Sequence, residues 1–204
     1  MKASIIDYGT GNLFNLKRGL DEVGFETKIV TEAEDLLGAE VIILPGVGNF
    51  AKATEKLNEG LGDAIKNAWK NGAKIVGICL GMQLLFESSE EAPGVVGLGL
   101  IQGTIKRLPN NITVPQMGWN GMLFKSNDGI FSGLQQLDST YFVHSYYADG
   151  VPEEFLEAWV ECDTVKITAA VKSERIIGFQ FHPERSGIIG MRIMKNLKEV
   201  LTNS

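Results

Sequence analysis

Apolar and polar residues change period several times along the chain. Ala3–Asp7 is a short apolar run that ends in the turn Y-G-T-G-N, and Leu13–Val23 repeats its apolar residues at helical spacing until Gly24 stops it. Thr27–Val30 and Ala39–Leu44 read as further strands, the second closing in the loop P-G-V-G-N-F. A helical stretch from about Ala51 to Lys70 ends at Asn71-Gly72. Lys74–Ile78 is then apolar and β-branched, as in a strand buried on both faces, and Leu80–Phe86 switches to helix-forming residues. This strand–helix rhythm predicts a mostly parallel sheet covered by helices on both faces, with its crevice at the carboxyl ends of the strands. Three glycine-bearing loops fall at that edge: Tyr8–Asn12, Pro45–Phe50 and Cys79–Gly81.

Beyond Leu98 the texture changes. Leu98–Leu108, Asn120–Phe124, Tyr141–Tyr146, Leu156–Cys162, Ile167–Lys172 and Ile176–Phe181 all look like strands, several separated by Gly, Pro, Asn or Asp. The simplest picture is an antiparallel meander continuing the sheet, with a closing helix over Ile188–Leu201. The 204 residues fit one α/β domain spanning the whole chain, 1–204.

Composition adds exclusions. A formal charge of −6 with scattered Lys and Arg argues against a nucleic-acid surface. Cys79 and Cys162 make neither a disulfide framework nor a metal-ligand spacing, so no metal or cofactor is implied and a reducing compartment fits. Met1 leads directly into Lys2 and an Ile-rich strand without a signal peptide pattern, and no apolar run reaches membrane-spanning length. A cytoplasmic protein is expected.

Cys79 carries the candidate chemistry. It stands where strand period gives way to helix period, flanked by Gly77 and Gly81, which would let the backbone turn sharply without a Cβ clash. The helix start after it would favour thiolate over thiol. A small buried cysteine of a core strand fits the same residue. Of the two histidines, His182 follows an apolar strand and precedes Pro183 and Glu184, so an imidazole at a strand end would have a carboxylate two residues on to orient it. An ordinary turn histidine is the plainer reading of His182 alone. His144, among strand formers, reads as structural or as a contact residue. Backbone amides of Leu80 and of Val47, in the P-G-V-G loop, would serve developing negative charge on an attacked carbonyl oxygen.

Taken together, G-I-C-L-G-M-Q-L-L-F and G-F-Q-F-H-P-E resemble the motifs of triad-type (class I) glutamine amidotransferases. Within that class, I-I-D-Y-G-T-G-N-L, L-P-G-V-G-N-F, E-A-P-G-V-V-G-L-G-L, M-G-W-N and Y-F-V-H-S-Y resemble the glutaminase subunits of imidazole glycerol phosphate synthases, over nearly the whole chain. The resemblance implies attack of Cys79 on the carboxamide of L-glutamine, proton transfer by His182 and orientation of His182 by Glu184. It places glutamine against Gly48, Gln83, Ser145 and Tyr146. It also implies a partner cyclase subunit, a (β/α)8 barrel forming a heterodimer with this chain, which receives the ammonia in histidine biosynthesis. Asn12, Asn15, Arg18, Met117, Trp119 and Arg185 match family positions at or near that interface. Two residues depart from the family: Gln116 stands where P-H-M-G-W-N has histidine, and Arg185 where lysine usually follows H-P-E. Alternatives are a glutaminase serving another biosynthetic synthase, a non-catalytic docking subunit, and a free-standing cysteine hydrolase.

Overall fold

The computed structural model describes residues 1–9 and 13–203. The strands are β1 Lys2–Ile6, β2 Glu26–Val30, β3 Val41–Leu44, β4 Lys74–Ile78, β5 Ser88–Ser89, β6 Thr104–Arg107, β7 Gln116–Gly121, β8 Leu123–Phe124, β9 Ser139–His144, β10 Tyr146–Asp149, β11 Leu156–Cys162, β12 Val165–Ser173 and β13 Ile176–Phe179. The helices are α1 Leu13–Glu22, α2 Phe50–Lys56, α3 Gly62–Lys70, α4 Leu80–Gln83 and α5 Gly187–Asn203. Eight strands form the main sheet in the order β2-β1-β3-β4-β13-β12-β11-β8. Pairing is parallel from β2 through β13 and antiparallel from β12 onward.

Alternation along β3 shows why helices cover both faces. Val41 and Ile43 join one core with Leu16 and Leu20 of α1 and Ile193 and Leu197 of α5. Ile42 and Leu44 join the opposite core with Ala53 of α2, Ile65 of α3 and Leu80 of α4. Every side chain of β3 is buried, so a continuous apolar strand has nowhere else to lie. Among the described residues no helix is long and apolar enough to cross a membrane.

Three sequence expectations need correction. The helix predicted over Ala51–Lys70 is interrupted by a π turn at Leu57–Leu61, where Gly60 takes φ 111°, a conformation open to glycine and disfavoured elsewhere. The helix predicted over Leu80–Phe86 ends at Gln83, after which the turn tightens: Leu84 N still donates to Leu80 O, but Leu85 N and Phe86 N reach back only three residues, to Met82 O and Gln83 O. Leu98 N donates to Leu84 O, Leu100 N and Ile101 N to Leu85 O, and Gly99 N to Phe86 O. The same bonds shorten the strand predicted over Leu98–Leu108 to β6.

The predicted meander is also divided. Strands β11, β12 and β13 extend the main sheet, but β10-β6-β5 form a second sheet and β7-β9 a two-stranded antiparallel ribbon. In that ribbon Gln116 faces His144 and Trp119 faces Tyr141. Gln116 and His144 are buried, whereas Met117 and Trp119 are 64% and 57% exposed, so β7 shows one face to the core and one to solvent.

Candidate active site

Cys79 sits between β4 and α4 with φ 49° and ψ −106°, in the left-handed region that a side chain occupies only under strain. Its amide donates to Phe179 O at 2.6 Å, which ties the turn to the neighbouring strand β13. The sequence assigned the sharp turn to the flanking glycines, whereas the strained conformation belongs to the cysteine itself. The nearby glycines answer to close approach. A Cβ on Gly46 would lie 1.7 Å from Ile78 O, and one on Gly81 would lie 2.0 Å from Leu44 O. The P-G-V-G loop and the cysteine turn therefore interlock backbone against backbone. Tyr8, at the end of β1, adds a third loop by donating its buried hydroxyl to Pro45 O. Burial raises the Tyr8 hydroxyl well above its ordinary value, and the nearby Cys79 and Asp7 add to the effect.

The helix following Cys79 has only four residues, so it offers its leading amides rather than a long dipole. Val47 and Leu80 both line a pocket of about 300 Å³ together with Gly48, Cys79, Gln83, Glu91, Ser145 and Tyr146. All four residues expected to hold substrate thus meet in one cavity with the cysteine.

His182 follows the end of β13, and its amide donates to Tyr141 O at 2.9 Å. Pro183 opens a 3-10 turn, Pro183–Arg185, that carries Glu184 back to the ring. His182 Nδ1 lies 2.8 Å from Glu184 Oε1, and both side chains are almost fully buried. Among the described residues, His182 Nε2 is buried without an oxygen or nitrogen partner. Burial alone would lower this imidazole, but Cys79 and then Glu184 outweigh it and raise it to about 10.

His144 behaves differently. Its Nδ1 donates to Tyr146 O at 2.8 Å, and Nε2 is buried with no hydrogen-bond partner among the described residues. Burial pushes it down, the Tyr146 carbonyl partly offsets this, and His182 adds repulsion, leaving it at about 4. The two buried imidazoles are thus shifted in opposite directions.

Two residues escaped sequence reasoning. Among the described residues Glu91 is the one carboxylate lining the pocket; its Oε1 accepts from Asn49 Nδ2 and its Oε2 from Phe50 N, both at 3.0 Å. No local pattern in E-E-A-P-G separates it from a surface glutamate. Gln180 is fully buried, and its Nε2 lies 3.6 Å from Cys79 Sγ. A polar residue between Phe179 and Phe181 was the available signal.

Of the expected interface residues, Asn12 lies outside the described residues. Asn15 and Arg18 are exposed on α1, which packs against the Pro183–Arg185 turn. Trp119 meets the Tyr141 ring edge-on at 6.1 Å, and the exposed Arg185 guanidinium lies 4.7 Å from the centre of that ring. Met117, Trp119 and Arg185 therefore border one apolar and cationic surface beside the pocket.

The class-I glutamine amidotransferase family profile matches residues 4–198. The chain is 39% identical over 202 residues to the "Imidazole glycerol phosphate synthase subunit HisH" of Moorella thermoacetica, covering 98% of this chain and 96% of that one. It is 42% identical over 199 residues to the protein of the same name from Bacillus cereus, covering 97% and 94%. Among solved structures, one described as a glutamine amidotransferase shares the fold at TM-score 0.77, 19% identity and 98% coverage of each chain. The structure of PurLQS from Thermotoga maritima does so at TM-score 0.76 and 22% identity, covering 99% and 97%.

Proposed function

Because the chain belongs to the class-I glutamine amidotransferase family, we propose that it is the glutaminase subunit of an imidazole glycerol phosphate synthase, acting in the cytoplasm in histidine biosynthesis. The observation that carries this reading is Cys79, strained and buried at the wall of the pocket, acting electrostatically on a His182 that is itself held by Glu184.

Glutamine enters the pocket with its carboxamide toward Cys79. Gly48, Gln83, Ser145 and Tyr146 hold its polar ends, and the carboxylate of Glu91 suits its ammonium group. His182 takes the thiol proton and the sulfur attacks the carboxamide carbon. The amides of Val47 and Leu80 receive the charge that develops on oxygen. His182 then protonates the departing nitrogen, ammonia leaves, and a thioester remains. Water, deprotonated by the same imidazole, cleaves it to glutamate and restores the thiol. Glu184 keeps the ring in one tautomer and stabilises its cationic form throughout.

The ammonia passes to a cyclase subunit, a (β/α)8 barrel forming a heterodimer with this chain, which joins it to a ribulosyl phosphate nucleotide. Imidazole glycerol phosphate and an aminoimidazole carboxamide ribotide result, giving the complex a lyase step after the hydrolytic one. Exposed Met117 and Trp119 have the chemistry of interface anchors, and Asn12, Asn15, Arg18 and Arg185 are the further residues assigned to that interface. The test is glutamate release from glutamine by the purified chain, alone and with the cyclase and its nucleotide. Weak activity alone and strong stimulation by the loaded partner are expected. Full activity alone, indifferent to the cyclase, would overturn the pathway assignment, and no glutamate in either condition would overturn the enzyme.

A further inference from the structure

Behind the sulfur lies a chain of buried amides, and part of it has no role in the steps above. Gln83 Nε2 donates to Tyr146 O at 2.9 Å and to Gln180 Oε1 at 3.2 Å. Both protons of the Gln83 amide are therefore committed. Gln180 Oε1 accepts one of them, so its Nε2 faces Cys79 Sγ at 3.6 Å. Turning Gln180 over would set N–H against N–H and oxygen against sulfur, and turning Gln83 over would set its oxygen against Tyr146 O and Gln180 Oε1. The orientation of Gln180 is thus fixed by a backbone carbonyl through Gln83.

Gln180 is fully buried, and its neighbours Phe179 and Phe181 both lie in the apolar core shared with α1 and α5. An amide buried this completely is costly unless both its ends are satisfied. An apolar side chain would fill the space at lower cost, so the amide is kept for what its N–H meets.

We propose that Gln180 is a catalytic residue of this site, its side-chain N–H donating to the Cys79 sulfur and holding it as thiolate, with Gln83 setting which end of Gln180 faces it. When the thiol proton moves to His182 Nε2, the charge left on sulfur is met by this donor. As the sulfur attacks carbon the charge moves to oxygen, where backbone amides await it. Gln180 thus governs how much nucleophile is present, and the amides govern the step that follows.

The proposal rests on Cys79 as nucleophile, but its test reads the sulfur without glutamine turnover. Iodoacetamide labelling of the Cys79 peptide is followed by mass spectrometry from pH 5 to 10 in wild type, Gln180→Met and Gln83→Met. In Gln180→Met the pH of half-maximal labelling is expected to rise by about one unit, with labelling at pH 6 slowed roughly tenfold. Gln83→Met should shift it the same way by less, and the acid limb of glutaminase kcat/KM should move with it. Both variants folded by thermal melt and retaining the wild-type labelling profile would overturn the proposal. Should Gln180→Met not fold, the Gln83→Met profile decides. A shifted labelling profile in a chain without glutaminase activity would sustain Gln180 and overturn the enzyme reading.

Discussion

Two regions that meet at Tyr141 treat a buried imidazole in opposite ways. At the end of the main sheet, His182 has a carboxylate on one nitrogen and the Cys79 sulfur acting on it, and it is raised to about 10 despite burial. In the β7–β9 ribbon, His144 has the Tyr146 carbonyl on one nitrogen and, among the described residues, no hydrogen-bond partner on the other, and it falls to about 4. Burial is similar in the two places. The difference is that the Glu184 carboxylate and the Cys79 sulfur favour a positive charge on the ring, and a single neutral carbonyl does not. One region raises a ring's affinity for a proton and the other lowers it, side by side, with His182 N bonded to Tyr141 O and Tyr141 N to Ser186 Oγ.

The most drastic way to break the comparison is Cys79→Ala, which removes the group acting on His182. Glutamate release should fall by at least about 10⁴-fold, and an NMR titration should show the His182 ring losing its proton at lower pH. Retained turnover in the purified variant would remove Cys79 from the mechanism. Glu184→Gln leaves the ring a partner without charge. A kcat loss of about 10²- to 10⁴-fold is expected, with little change in KM for glutamine, as steady-state kinetics would show.

Next comes stability against pH. His144 has a folded value below its unfolded one, so its contribution is present above about pH 6.5 and lost as pH falls toward 4. The loss is on the order of 3 kcal/mol. His182 has the opposite sign: its contribution is present below about 6.5 and lost as pH rises toward 10. Urea unfolding should therefore show a shallower acid decline in His144→Asn, whose amide can still donate to Tyr146 O, with the alkaline decline unchanged. Equal acid slopes in variant and wild type would refute the assignment. Smallest is Arg185→Ala at the seam between the regions, where the exposed guanidinium over Tyr141 is worth about 0.5–1 kcal/mol. It should leave basal glutamate release unaltered and reduce cyclase stimulation a few-fold, measured by titrating the partner.

The parallel half was legible because its central strands are short apolar runs with a turn signal at their ends, the edge strand β2, E-T-K-I-V, being the mixed one, and Cys79 was legible because the period changes there. His182 and Glu184 were readable from adjacency, since Pro183 between them dictates the turn that brings them together. The antiparallel half was harder. Its strands were recognised, but alternation does not say which sheet a strand joins, and the ribbon β7–β9 pairs residues far apart in the chain. Glu91 and Gln180 act through bonds to distant partners, Asn49 and Phe50 in one case and Gln83 and Cys79 in the other. No local pattern encodes such contacts.

The strand order has a consequence for how the molecule is made. Strand β13 lies between β4 and β12, so the centre of the sheet is filled by its last strand in sequence. On a ribosome adding about 5–20 residues per second, β4 emerges on the order of ten seconds before the strand that will cover its open side. During that interval the nascent chain carries an unpaired apolar edge next to an unfinished cysteine turn, and such an edge templates aggregation. A carboxyl-terminal truncation ahead of Ile176 would leave that edge permanently open, so fragments of this protein should require a chaperone from which the whole chain is released.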